Sequence, residues 1–188
     1  MNETIKTIQT RRSIRSYKPE QFPNDDLQQI LNAGLYAPSA RNGQPWHFVV
    51  VRSHKMIAEI TVAVKAATAR MPDNPYKNFV GNNSYTVNFN APTFIIVSAN
   101  PADSPGMAAE DCSLALGNMF LAAHSLGIGS CWVNQLGILN DEPGFRNFIT
   151  KLGVPQANRI YGCASFGYAA NPPSAPPNRK ENNIVIVE

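Results

Sequence analysis

Few residues in this chain can carry chemistry unaided. Its 188 positions include three cysteines (Cys112, Cys131, Cys163) and three histidines (His47, His54, His124). The cysteines form no CxxC pair, and their odd count reads as reduced thiols in a cytoplasmic protein. Cys131 and Cys163 sit in apolar, strand-like runs, which suits structural thiols better than nucleophiles. The histidines lie far apart and lack a ligand partner at helical spacing, so no metal centre is expected. Charge is scarce as well. Sixteen basic and 13 acidic residues leave +3, with no run of like charge beyond Arg11–Arg12, whereas a nucleic-acid binder would carry a basic stripe. The 44% hydrophobic content excludes a disordered chain. Met1–Thr10 contains Glu3 and Lys6 and has no apolar core, so no signal peptide is expected. Residues 112–140 have no Asp, Glu, Lys or Arg, but Asn118, His124, Ser125, Gly127 and Gly129 interrupt them. A membrane span needs roughly 20 continuous apolar residues, so the expectation is a buried core helix and no membrane segment.

Familiar catalytic signatures are missing too. "GIGSCW" opens as G-x-G but has Trp132 where a dinucleotide fingerprint needs its third glycine. No P-loop occurs, and "GCASFG" is not the G-x-S-x-G of a hydrolase elbow.

What the chain does contain is a series of alternating elements. Ile5 and Ile8 give a first short helix one apolar face, ending at the arginines. Asn24 is expected to cap a helix in which Leu27, Ile30, Leu31 and Leu35 share a face and Pro38 enforces the stop. "HFVVV" (47–51), "TFIIVS" (93–98), "GIGSCWV" (127–133) and "RIYGCASFGY" (159–168) read as strands. Ser53 is placed to cap a helix through about Ala69. A long helix runs from about Pro105 to Leu126, and a surface helix covers about 142–151 and closes at Gly153. Residues 71–83, with two prolines and several asparagines, read as a loop or lid. "NPPSAPPNRK" (171–180) has four prolines and must be extended. It leads to "NIVIV" (183–187), an apolar strand that would be a liability if left free and is expected to lie across a neighbouring chain. The pattern predicts an α+β protein of one domain (1–188), with helices packed around one mixed sheet and an extended carboxyl-terminal arm (171–188).

Three sets of residues suit a large, flat, anionic ligand. "TRRSIRSYKP" (10–19) gathers Arg11, Arg12, Arg15 and Lys18, and planar guanidinium forks beside Ser13 suit phosphate. In "APSARNGQPW" (37–46), Asn42 and Gln44 offer amides that match a heterocycle edge. Arg179 supplies a further guanidinium near the other terminus. Such an inventory belongs to a protein whose cofactor performs the chemistry.

These segments resemble the nitroreductase family of flavoproteins. The resemblance is carried by "RRSIRSY" (11–17), "APSARNGQPWHFVVV" (37–51), "AAEDCSLALGNMFLAAHSLGIGSCW" (108–132) and "APPNRKENNIVIV" (175–187), in order along nearly the whole chain. It implies a central, mainly antiparallel mixed sheet flanked by helices, with a C-terminal strand exchanged between the subunits of a homodimer that shares its active sites. It also implies bound FMN, with NAD(P)H as transient hydride donor. By resemblance, Arg11, Ser13 and Arg179 hold the phosphate, Arg12 lies along the ribityl chain, and Arg15 reaches the N1–C2 edge of the ring. Pro38, Ser39, Ala40, Asn42 and Gln44 come from the other subunit, and the backbone of Trp132, Val133, Asn134 and Gln135 passes beside the flavin. Asn82, Asn83 and Asn88 are open candidates for a further contact. The activity implied is ping-pong reduction of nitroaromatics, quinones or similar small acceptors, without a catalytic side chain. Alternatives are a specialised relative (reductive dehalogenase or ene-reductase-like) and a flavin-binding protein without turnover.

Overall fold

In the computed structural model, which describes residues 1–171, 173 and 175–188, four strands form one sheet. They are β1 (Trp46–Val51), β2 (Thr93–Ala99), β3 (Gly129–Val133) and β4 (Arg159–Gly167), in the order β1-β2-β4-β3, with every ladder antiparallel. The mixed character expected from sequence is confined to one parallel bridge, between Ser13 and Ser130. Helices cover both faces: α1 (Glu3–Thr10), α2 (Asn24–Leu35), α3 (His54–Ala69), α4 (Lys77–Val80), α5 (Ala108–Ser125), α6 (Gln135–Ile138) and α7 (Pro143–Lys151).

The uninterrupted apolar run of β2 follows from its position, because every one of its seven residues is buried and alternate side chains point to opposite faces. Ile95 and Val97 pack with α2 and α5, around Leu27, Ile30, Leu116 and Met119. Phe94 and Ile96 pack with α3 and α7, around Ile60, Val64, Phe145 and Ile149. In β4 this alternation breaks once. Val97 pairs with Gly162 but Ser98 pairs with Ile160, so Tyr161 is bulged out and Ile160 and Cys163 reach the same core. At the α2–α5 crossing, a Cβ on Gly34 would come within 2.3 Å of the Met119 methyl group. The Met119 side chain fills the space that a side chain at 34 would need.

Element boundaries follow local chemistry. Ser53 caps α3 by accepting from the Met56 N–H, as expected. Asn24 does not cap α2. It is the first helical residue, preceded by Pro23, and its side-chain oxygen accepts from Arg52 instead. Residues 71–83 are not wholly irregular, since α4 lies within them. The carboxyl-terminal segment 183–187 forms no ladder in the single chain, and Ile184–Val187 are 79–90% exposed. It pairs with neither edge strand of the sheet, β1 or β3. No helix among the described residues is long and apolar enough to cross a membrane.

Glu142 caps α7, accepting from the Phe145 N–H at 2.7 Å and from Arg70 at 2.8 Å. The Arg70 hydrogen bond is the main reason its carboxyl is held at about 2, below its ordinary 4.5. A depressed carboxyl contributes stability above its unfolded value and loses it as pH falls through the folded one. Glu142→Ala is therefore expected to cost about 1 kcal/mol at pH 7. The gap in melting temperature from the parent protein should close between about pH 5 and pH 2, which thermal melts across that range would check.

Candidate functional site

The arginine-rich segment follows α1 and lies along the free edge of β3. The Ile14 N–H donates to the Ser130 carbonyl at 2.9 Å, beside the parallel bridge between Ser13 and Ser130. That approach requires glycine at 129, where a Cβ would meet the Ile14 side chain at 2.7 Å. Arg11, Arg12 and Arg15 are thereby strung along the β3 edge. Cys131 of β3 feels both Arg11 and Arg15, which oppose the burial that pushes its thiol up.

Two clefts are lined by these arginines. The first, about 180 Å³, is lined by Arg11, Arg12, His124 at the end of α5, and the turn Gly127–Ser130. Ser130 is 2% exposed, and its Oγ has no hydrogen-bond partner among the described residues. A buried hydroxyl without a partner, beside two guanidinium groups, fits an anion that supplies the missing acceptor. The four ion pairs among the described residues involve none of Arg11, Arg12 or Arg15. Arg12 is partly committed, since its Nη1 donates to the Gln9 and Arg11 carbonyls at 2.8 and 2.7 Å and so closes the end of α1.

The second cleft, about 220 Å³, places Arg15 with Asn82, Ser84, Tyr85, Thr86 and Asn90. Of the three asparagines singled out from sequence, Asn82 lines this cleft. Asn83 is exposed and lines neither cleft, and Asn88 is buried, donating to the Ala91 carbonyl. Asn90 was not foreseen, and neither was the left-handed backbone at Phe89 and Asn90 (φ 56° and 59°) that turns the segment there.

Downstream of β3, Trp132 is half-buried. Its ring lies edge-on to Phe120, with centroids 6.4 Å apart, and fits over Gly162. Trp132 Nε1 donates to Asn134 Oδ1, and Asn134 Nδ2 donates to the Tyr76 hydroxyl, both at 3.4 Å. This chain of contacts ties segment 71–83 to the end of β3. Val133 is buried, Asn134 is exposed, and Gln135 begins α6 with its Oε1 buried and unpartnered. The first N–H groups of a helix have no acceptor inside it, so the backbone at Asn134 and Gln135 has donors to offer.

The loop 38–44 lies elsewhere. Ala40 N–H donates to Asp111 Oδ1 at 2.9 Å, and Ser104 Oγ donates to Asp111 Oδ2 at 2.6 Å. Asp111 is 2% exposed in the first turn of α5 and was not singled out from sequence. Arg41, Asn42 and Gln44 all have positive φ (51°, 54° and 46°), a backbone that is strained for non-glycine residues. Gln44 N–H donates to Ser39 Oγ, and Gln44 Nε2 donates to Asn42 Oδ1, each at 3.0 Å. Pro38, Asn42 and Gln44 are exposed, while Ser39 and Ala40 are half-buried. Asp111 and His124 are thirteen residues apart on α5, which at 1.5 Å per residue separates the loop from the arginine cleft by about 20 Å along the helix. One chain therefore does not bring Pro38, Ser39, Ala40, Asn42 and Gln44 to Arg11, Arg12 and Ser13. Arg179 is exposed in the carboxyl-terminal arm and is likewise not among the residues lining that cleft.

All three thiols are buried and unpaired. Burial, and after it the Asp111 charge, pushes Cys112 up to about 12, and burial also raises Cys163. None suits a nucleophile. Among the described residues no three metal-ligating side chains come together.

The model of the nitroreductase family matches residues 8–168. A putative NADH dehydrogenase/NAD(P)H nitroreductase of Archaeoglobus fulgidus is 37% identical over 171 residues, covering 89% of this chain and 86% of that protein. A nitroreductase with bound FMN from Bacteroides fragilis superposes with a TM-score of 0.94 at 42% identity, over the whole of both chains. Another with bound FMN, from Desulfitobacterium hafniense, gives 0.87 at 30% identity, again over both whole chains.

Proposed function

Because the chain belongs to the nitroreductase family, we propose that it is an FMN-dependent NAD(P)H oxidoreductase that reduces nitroaromatics, quinones or similar electron-poor acceptors in a ping-pong cycle. The observation that carries this reading is the cleft with Arg11, Arg12 and the unpartnered, buried Ser130 hydroxyl, an anion site on the chain whose relatives bind FMN.

Bound there, FMN would supply the hydride-transfer chemistry that links NAD(P)H to the acceptor. The protein's own part is binding and electrostatics. Arg11 and Ser13, joined by Ser130, hold the phosphate. Arg15, in the second cleft, places a fixed positive charge where the ring gains negative charge on reduction. The N–H groups of Asn134 and Gln135 orient the ring edge, with Trp132 and Val133 fixing the strand that leads to them. The lack of a dinucleotide fingerprint agrees with NAD(P)H acting as a transient substrate.

Pairing of two copies completes the site. With the loop 38–44 about 20 Å from the arginine cleft along α5, a second chain running the opposite way brings its own Pro38, Ser39, Ala40, Asn42 and Gln44 to the flavin. The exposed Ile184–Val187 arm, carrying Arg179, would pair on that partner, and the whole chain 1–188 acts as one FMN-binding domain.

The test is the visible spectrum of the purified protein, followed by anaerobic addition of NADH and then NADPH. A yellow protein that bleaches supports the reading. A colourless protein that takes up no added FMN overturns the cofactor, and bound FMN that neither donor bleaches overturns the turnover. Arg15→Ala is expected to slow flavin reduction about tenfold or more, as loss of one charge-stabilising group does, with a smaller loss of FMN affinity. Equal loss of both in stopped-flow and binding measurements would remove its electrostatic role.

A further inference from the structure

His124 ends α5 inside the arginine cleft, and no sequence pattern marked it as functional. Its Nε2 lies 2.8 Å from Thr10 Oγ1. The Thr10 hydroxyl already donates its one hydrogen to the Lys6 carbonyl at 2.7 Å, so the imidazole must be the donor at Nε2. Its other nitrogen, Nδ1, is then a bare lone pair in the neutral ring and a donor only in the cation. No other hydrogen bond to the His124 ring forms among the described residues. The groups facing the ring are Thr10, Arg11 and Arg12, and the cleft's remaining walls, from Ile14, Gly127–Ser130, Ala169 and Pro173, carry no titratable side chain.

We infer that His124 is a proton-linked phosphate ligand of this cleft, taking up a proton as the phosphate monoester of the flavin enters and donating to it from Nδ1. This rests on the cofactor reading above. Without an anion, burial and then the charges of Arg11 and Arg12 hold the imidazole below its ordinary range. A phosphate dianion between the same arginines reverses that balance. The carbonyl end of α5 favours the cation as well. The sign follows from linkage: the bound state holds more protons between the two His124 values, so phosphate binds more tightly as pH falls through that window and more weakly above it.

The test compares the full-length protein, stripped of flavin, with His124→Gln. FMN and riboflavin affinities are read by flavin fluorescence from pH 5.5 to 8.5. The phosphate's own titration is common to both proteins and cancels in their ratio. The expected result is a ratio of FMN dissociation constants (variant over parent) that is roughly 3- to 10-fold larger at pH 6 than at pH 8, the range set by a shift of up to about one pKa unit. For riboflavin, which lacks the phosphate, the ratio should stay flat. A flat ratio for FMN, or an equal slope for riboflavin, overturns the inference. An independent readout needs no variant. Proton NMR of the three histidines in the parent protein should show one imidazole moving to higher pKa when inorganic phosphate is added, and no movement overturns the proposal. Movement with phosphate in a protein that binds neither flavin would instead sustain the proton-linked anion site and overturn the cofactor reading.

Discussion

Asp111→Ala is expected to destabilise the protein by about 3 kcal/mol and lower its melting temperature by roughly 10 °C. The buried Asp111 carboxyl group accepts from the N–H of half-buried Ala40 and from the buried Ser104 Oγ. Removing it leaves the buried Ser104 hydroxyl and the half-buried Ala40 N–H without an acceptor, at about 1–3 kcal/mol for a fully buried donor and less for the other. The consequence reaches function because Ala40 anchors a loop whose backbone is strained at Arg41, Asn42 and Gln44. Once released, that loop relaxes to commoner conformations and no longer presents Asn42 and Gln44 in one arrangement. FMN affinity is therefore expected to fall about tenfold at a temperature where the variant is fully folded. Asp111→Asn, which keeps an acceptor for Ala40, should recover most of both losses. Calorimetry with flavin titration checks this, and an Asp111→Ala protein with the parent's FMN affinity would mean that the loop is held by something else.

Gly162→Val is expected to cost about 3 kcal/mol and to remove most bound flavin. A Cβ at 162 would stand 2.6 Å from Trp132 Cζ2 and 2.7 Å from Leu116 Cδ1. Neither can retreat, because Leu116 is fully buried in α5 and the Trp132 ring is held against Phe120. Overpacking a dense core typically costs about 1–3 kcal/mol, and here two packed side chains are struck at once. The strain falls on Trp132, whose displacement pulls on Asn134 and the start of α6. Gly162→Ala should show the same direction at about half the size. Tryptophan fluorescence and flavin content measured together separate simple unfolding from a shifted Trp132, and a Gly162→Val protein with normal flavin content would rule out this coupling.

Much of this was legible before any coordinates. Runs of β-branched and aromatic residues placed β1, β2 and β4 within a residue or so, because burial on both faces leaves no room for polar alternation. Ser53 was readable as a cap because its hydroxyl acts three residues away. Asn24 was misread because its side chain had a stronger claim from Arg52, which is distant in sequence and invisible to a local rule. The arginines were legible as candidates for an anion site through the fork geometry of guanidinium beside a hydroxyl, and the structure gathers Arg11 and Arg12 in one cleft. His124, Ser130 and Asp111 were not legible. An ordinary helix-end histidine, a strand serine and a helix aspartate acquire meaning only through what surrounds them: the Arg11–Arg12 cleft for the first two, the Ala40 amide for the third. Sequence alone thus determined which residue types were at hand and where the chain turns. Tertiary structure decided which of those residues meet. Hydrogen bonding and packing act over 3–4 Å whatever the sequence separation, so the β3 edge, the bulge at Tyr161 and the length of α5 together set the arginine cleft apart from loop 38–44, a separation that no local pattern in the sequence could show.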